Sequence, residues 1–277
     1  MEQPEERERE ALPATIRAFS QRLYRDPRYL LVDRVERFGR ERIAFIEAYT
    51  ILSPTGEVRG QALLSQEYTR RGRPDGERPY GEESLLDHYL QSRGGETIEL
   101  SEDELAALRD ESWQYYVRRN FSFLLEDYYQ AREDAEHNLG IWNLIERSGA
   151  SDAAKWSSFR WWPWIERDRA IAQAMWDLEQ GDADHAATEL YRAQRAIEQF
   201  EQQHAERYAE EGDDNQDLCA HMRQHVFALV ELLRRDRDLP VSLEERLDDA
   251  AARGDRAEMD RLRGEMIRRA VDPGTEE

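Results

Sequence analysis

AMWDLEQGDADHAATELYRA, residues 174–193, is the stretch that decides the fold class. A Gly-Asp pair at positions 181 and 182 marks a turn between two segments with helical periodicity. Small side chains, Ala174, Ala186 and Ala193, occupy the positions where two antiparallel helices would cross closely. Alanine at such positions lets two helix backbones approach while larger neighbours fill the grooves. The stretch therefore predicts an antiparallel helical hairpin.

This pattern resembles a tetratricopeptide hairpin, in which small residues lie at the helix crossing and the turn often contains Gly-Asp. Residues 115–138 have the same rhythm around a turn at Asp127, with Ala131 and Ala135 in the second helix. Arg119 stands where the first helix of such a hairpin has a small residue. Because arrays of this kind need about three repeats, we expect the helices near residue 85 and at 216–235 to complete the helical body.

Two capping boxes, Ser101-x-x-Glu104 and Ser242-x-x-Glu245, predict helix N-termini. Pro163 is expected to interrupt the helical stretch 152–181. The polar segment RRDRDLPVS, residues 234–242, is expected to be a linker.

A β region precedes the helices. Three runs rich in β-branched and aromatic residues, 29–38, 42–52 and 58–69, are separated by turn signals, including SPTGE at 53–57. Such runs predict an antiparallel meander. Residues 70–82 hold two Pro and three Gly and predict a loop. One short amphipathic helix is expected before the strands, from the spacing of Leu12, Ile16, Phe19 and Leu23.

The expected fold class is therefore mainly α (α+β). We expect tetratricopeptide-like antiparallel helical hairpins, a small N-terminal antiparallel β-meander and a C-terminal helical hairpin, with more than half of all residues in helices. The expected domains are an N-terminal helix, β region and Arg/Gly/Pro loop at 1–82, a helical-hairpin domain at 83–236, and a short helical hairpin at 240–270.

The charge of the chain disfavours two classes of binding partner. With 60 Asp and Glu against 39 Lys and Arg, the net charge is −21. Such a chain repels phosphate backbones and anionic lipid, so direct binding to nucleic acid or membrane is disfavoured. The single cysteine, Cys219, has no internal disulfide partner. No apolar run is long enough to span a bilayer, and MEQPEERERE at the N-terminus is no secretory leader, so we expect a cytoplasmic protein.

The C-terminal sequence LEERLDDAAARGDRAEMDRLRGEMIRR, residues 243–269, resembles the UVR motif. This short helical hairpin occurs in excision-repair proteins and in bacterial stress-protease adaptors. The shared features are Leu243-Glu244, Leu247, Ala250, the Gly254-Asp255 turn, Leu262-Arg263 and Ile267. The chain departs from the motif at Arg256, Met259, Asp260 and Gly264.

The resemblance implies that the hairpin joins two proteins, because two short helices cannot bury their apolar faces alone. The implied partner is another protein or a second copy of the chain. The expected partner-binding residues are Leu243, Leu247, Ala250, Leu262, Arg263, Met266 and Ile267.

A second stretch, GRPDGERPYGEESLLDHY at 72–89, resembles one that precedes the helices in a group of uncharacterised bacterial UVR-motif proteins. Together with the helical hairpins and the tail, this resemblance covers residues from about 58 to 270. It implies a family and no defined activity.

Candidate metal ligands are sparse. Asp134 and His137 share a helix face, as do Asp182 and His185, and Asp217, His221 and His225 follow at four-residue spacing near Cys219. Capping and solvated faces explain these spacings better than metal binding does, so we expect no metal and no cofactor. The chain also lacks the Walker, nucleophile-elbow, CxxC and dinucleotide fingerprints.

Two further clusters admit two interpretations each. Trp156, Trp161, Trp162 and Trp164 lie within nine residues and are either core anchors or a binding surface. Arg70, Arg71, Arg73 and Arg78 form the densest basic segment, which either pairs with acidic residues of the chain or meets an acidic partner or phosphate.

These observations favour a non-enzymatic cytoplasmic scaffold or adaptor with helical hairpins and a UVR-like docking hairpin. The first alternative is an accessory factor of DNA excision repair or stress proteolysis. The second alternative is a metal-binding helical-bundle enzyme.

Overall fold

The computed structural model describes residues 12–37, 39–52, 55, 58–92, 98–211 and 217–271. The chain divides into two compact units, one of residues 14–172 and one that runs from Gln173 onward. More than half of the chain is helical, with a three-stranded antiparallel sheet near the front, so the expected mainly α fold with an N-terminal meander is confirmed. The three-part division at 82 and 240 stays a prediction.

The first unit begins with helix α1, Ala14–Tyr24, followed by strands β1, Tyr29–Arg37, β2, Arg40–Leu52, and β3, Val58–Thr69. The strands pair in the order β1-β2-β3, each antiparallel to the next. Ile43 and Phe45 on β2 are buried and pack against Val117 and Phe121 of the helical part of the unit. Four residues of the SPTGE turn lie outside the described residues.

Five helices follow the loop at 70–82, which contains a short 3₁₀ turn at Pro79–Gly81. Their bounds are Leu85–Ser92 (α2), Glu102–Leu124 (α3), Tyr128–Glu146 (α4), Asp152–Phe159 (α5) and Trp162–Glu179 (α6). The Ser101 capping box is formed: its hydroxyl accepts from the Glu104 amide, and the Glu104 carboxylate accepts from the Ser101 amide at 2.8 Å. Helices α3 and α4 pack as a hairpin, with α1 and α2 against α3.

Pro163 has a different role from the one expected. The helical stretch breaks before it, at Arg160 and Trp161, and Pro163 is the second residue of α6. Proline suits this position because the first amides of a helix have no intrahelical acceptor to lose. The residue therefore starts a helix where an interruption was predicted.

The second unit contains the end of α6 and helices α7 to α10. Their bounds are Ala183–Glu211 (α7), Leu218–Arg237 (α8), Leu243–Ala252 (α9) and Arg256–Val271 (α10). Helix α7 packs against α8 and α9, and α9 packs against α10. Ala174, Ala186 and Ala193 are fully buried, as a close helix crossing requires.

The expected linker at 234–242 is wrong in its first half. Helix α8 continues to Arg237 and ends at Asp238, which has a left-handed backbone with φ of 51°. The Leu239 amide then donates to the Leu233 carbonyl at 3.3 Å, and the Leu239 side chain is buried. This arrangement is a left-handed helix C-cap followed by a buried apolar residue, so the connection is a compact turn.

The second predicted capping box is half formed. The Ser242 hydroxyl accepts from the Glu245 amide at 3.1 Å. The Glu245 carboxylate instead pairs with Arg234 of α8 at 2.6 Å. That ion pair ties the start of α9 to the preceding helix.

Each described helix is too short or too polar to cross a membrane.

Candidate functional site

The C-terminal hairpin divides the seven predicted partner-binding residues into two groups. Gly254, with φ of 70°, makes the turn between α9 and α10. Ala250 and Leu262 are fully buried, whereas Ile267 is 63% exposed. Leu243, Leu247 and Met266 are half-buried, and Arg263 is exposed. The inner residues therefore hold the hairpin in its unit, and Arg263 and Ile267, one helical turn apart, lie on an outer edge.

Polar contacts join the hairpin to α7 and α8. Because these pairs are largely exposed, each stabilises the attachment by only about 0–1 kcal/mol. The pairs are Arg192–Glu244 at 2.6 Å, Tyr191–Asp248 at 2.6 Å, Arg234–Glu245 at 2.6 Å and Arg269–Asp184 at 3.1 Å.

The tryptophan cluster serves two purposes. Trp156 is buried, and Trp162 packs against the core formed by α2 to α6. Trp161 and Trp164 line a cavity of about 570 Å³ in the first unit. Trp161 also packs against that core, so the core interpretation accounts for most of the cluster, and binding at its exposed part stays a prediction.

This aromatic pocket is formed by residues from α3, α4, α5, α6 and the break between α5 and α6. Its volume falls in the range of small-molecule sites, roughly 300–1,000 Å³. Half of the described lining residues are aromatic, and the others include one cation and three serines: Arg109, Ser112, Trp113, Tyr116, Trp142, Ser157, Ser158, Trp161, Trp164 and Ile165.

Arg109 is held in the pocket wall by neutral groups. Its Nε donates to the Ser158 hydroxyl at 3.3 Å, and its Nη2 donates to the Ala154 carbonyl and the Ser157 hydroxyl, both at 2.9 Å. Within the described residues, Arg109 has no carboxylate at ion-pair distance and its Nη1 has no acceptor. The side chain is thus oriented by neutral acceptors among the described residues.

Two buried arginines support the pocket walls from behind. The Arg119 guanidinium lies 5.1 Å from the Tyr116 ring centroid, and that of Arg167 lies 4.9 Å from the Trp164 ring. Both guanidiniums pair with Asp168, which is fully buried. Arg119, where the sequence departs from the predicted tetratricopeptide-like pattern, is itself fully buried. These cation–π contacts and ion pairs fix the rings in place.

The arginine-rich loop is anchored by its own chain. Arg70 pairs with Asp127 at 2.8 Å and with Glu41. Arg73 lies 3.2 Å from Asp75 and 3.6 Å from the buried Glu111. This pairing supports the structural interpretation of the loop.

The His and Asp spacings do not converge on one point. Asp134 pairs with Arg118, His137 contacts Glu111 at 3.0 Å, and His185 contacts Asp177 at 2.7 Å. No group of three or more metal-binding side chains occurs in the described ranges.

Cys219 near His221 is no ready ligand, because burial raises the pKa of its thiol to about 11.

Sequence reasoning missed the exposed leucines of β1 and β3, which lie on both faces of the sheet. Strands β2 and β3 continue beyond Tyr29, where β1 begins, because Tyr29 pairs with Glu47. In that part of the sheet the sequence does not alternate between apolar and polar residues, so it did not indicate which face of the strands is buried. The exposed apolar side chains are Leu30, Leu31, Val58, Leu63 and Leu64.

Comparison with known proteins adds no identity: no family model, no curated protein and no solved structure matches the chain.

Proposed function

We propose that this protein is a non-enzymatic cytoplasmic adaptor that binds another protein, or a second copy of itself, through the outer edge of its C-terminal hairpin. The UVR-like sequence and the tetratricopeptide-like helices support this role. So do the exposed leucines of β1 and β3, which add apolar area on both faces of the sheet.

One observation carries the proposal: Ile267 is 63% exposed on a helix whose inner residue Leu262 is fully buried. The hairpin is already packed within its unit, and Ile267 lies exposed beside Arg263. A partner can therefore contact this edge without any unfolding of the hairpin. Apolar residues next to arginine are typical of interface centres, where arginine is enriched.

The test compares Ile267→Ser with Phe227→Ser in the full chain. Phe227 is 56% exposed on α8 and loses similar apolar area, so it is the matched control. We expect Ile267→Ser to abolish capture of the partner from host extract, or to halve the mass measured by light scattering, with an unchanged melting temperature. Phe227→Ser should leave capture and mass as in the parent.

Equal capture and equal mass for Ile267→Ser and the parent would contradict the proposal. So would a monomeric parent that captures no protein from the host.

A further inference from the structure

We propose that the aromatic pocket of the first unit binds a small planar aromatic carboxylate. This inference is independent of the adaptor role, because every lining residue lies between positions 109 and 165, far in sequence from the C-terminal hairpin.

Arg109 supplies the charge that selects an acid. Its Nε and Nη2 are engaged by two serine hydroxyls and a carbonyl, which leave the end of the guanidinium that carries Nη1 for another acceptor. A carboxylate can accept a charge-assisted hydrogen bond from Nη1, which is stronger than a bond between neutral groups. Neutral protein acceptors orient the group without cancelling its charge. Among the described residues Arg109 has no carboxylate partner, so its charge is available to an external anion.

The rings supply the shape that selects a planar ligand. Trp113 and Tyr116 lie 5.1 Å apart between centroids with a 31° angle, and Tyr116 meets Trp164 at 6.5 Å and 69°. Such walls offer both flat and edge contacts to an aromatic guest. Because Arg119 and Arg167 hold Tyr116 and Trp164 from behind, binding costs little ordering of the walls.

The number of charges in the pocket and the volume of the pocket restrict the class of ligand further. Arg109 is the one cation among the described lining residues, which suits a single carboxylate and not a polyphosphate. The cavity of about 570 Å³ accommodates a two- or three-ring molecule. The acidity of the chain opposes a polyanion such as nucleic acid.

The test is calorimetric titration of the full chain with three probes: 2-naphthoate, its neutral isostere 2-naphthamide, and cyclohexanecarboxylate. We expect 2-naphthoate to bind, and each of the other two to bind at least about tenfold more weakly, because one lacks the charge and the other lacks the ring. Added salt should weaken the naphthoate complex more than the naphthamide complex.

Variants assign the effect to the pocket. Arg109→Gln should weaken naphthoate binding about tenfold and remove the preference for acid over amide. Trp113→Ala, at a side chain that is 52% exposed and adds little to the core, should weaken both probes alike. Arg71→Gln makes the same charge change at an exposed loop position and should change neither affinity.

The proposal is overturned if 2-naphthoate does not bind, or binds Arg109→Gln as tightly as the parent. Should Arg109→Gln not fold, Trp113→Ala still decides: unchanged naphthoate affinity in that variant places the probe outside the pocket.

Discussion

The two units of the molecule bury different chemistry. In residues 14–172 the core includes paired charges: Arg118 with Asp134, and Arg119 with Asp168, all essentially inaccessible to solvent. In the unit from Gln173 onward the most buried side chains are alanine and aliphatic, and the ion pairs lie near the surface. Examples of those buried side chains are Ala186, Leu190, Ala193, Ile197, Val226, Leu229 and Leu233.

The difference teaches where charge matters for folding. A buried ion pair that loses one member leaves an uncompensated charge, which costs about 3–5 kcal/mol. An exposed pair costs about 0–1 kcal/mol to remove. The same Asp→Asn or Arg→Met change should therefore destabilise the first unit much more than the second.

The largest effect is expected at Asp168. Asp168→Asn removes the carboxylate that Arg119 and Arg167 both contact, and it weakens the acceptor of the Tyr24 hydroxyl at 2.9 Å. We expect the free energy of unfolding to fall by about 3–5 kcal/mol, or the protein not to fold. Denaturant titration measures this.

Asp248→Asn is the matched control for that experiment, because Asp248 accepts from Tyr191 at the surface. It should change the free energy of unfolding by less than about 1 kcal/mol. Equal losses for Asp168→Asn and Asp248→Asn would show that the contrast between the units is wrong.

The next effect is expected at Arg118. Arg118→Met leaves Asp134 buried without its bidentate partner, whose nitrogens lie 3.0 and 2.6 Å from the carboxylate oxygens. We expect a loss of about 3–5 kcal/mol in the free energy of unfolding, measured by denaturant titration. The double variant Arg118→Met with Asp134→Leu should recover part of it.

The double variant should be more stable than Arg118→Met because of the pKa of Asp134. Burial raises this pKa above its ordinary value, although the Arg118 guanidinium opposes the shift. A carboxyl with a higher pKa in the folded chain opposes folding as the pH rises past about 4. The double variant should still be less stable than the parent, because Arg118 also donates to the carbonyls of Thr69 and Gly72. A double variant as unstable as Arg118→Met would refute this account.

The sequence predicted elements better than it predicted the core. Gly181, Gly254 and the Ser101 cap are local signals, so the helix ends they mark could be placed without tertiary information. Arg118 and Arg119 could not be placed in the core, because charged residues are almost never fully buried unless they are paired. Arg119 and its partner Asp168 are 49 positions apart, on different helices.

The candidate sites, too, could be predicted only where the sequence holds a local signal. The hairpin residues came from the UVR-like sequence, and Ala250 and Leu262 are buried within the unit, while their role in binding a partner stays a prediction. The pocket was only partly visible as a tryptophan cluster, since its walls also include Trp113 and Tyr116 of α3 and Trp142 of α4. The signal that the sequence did hold was the excess of aromatic residues on α3, which had no role in the expected hairpin.

A smaller effect is expected in the aliphatic unit. Ala186→Leu adds volume at a fully buried position and should lower the free energy of unfolding by about 1–3 kcal/mol through overpacking. Thermal or denaturant unfolding measures it. Unchanged stability would mean that no close helix crossing exists at Ala186, and the tetratricopeptide-like interpretation of this hairpin would fail.

The smallest effect is expected at Arg192, whose pair with Glu244 fastens the C-terminal hairpin to α7 at 2.6 Å. The Arg192 side chain is 54% exposed, so water and ions screen the attraction. Arg192→Met keeps much of the apolar stem and removes the charge, and we expect a loss below about 1 kcal/mol at low salt. In about 1 M salt, where the Debye length is near 3 Å, the parent and the variant should unfold at the same denaturant concentration. A loss of several kcal/mol that persists in high salt would mean that the pair is shielded from solvent, like the buried ion pairs of the first unit. The proposed difference between the two units would then be wrong.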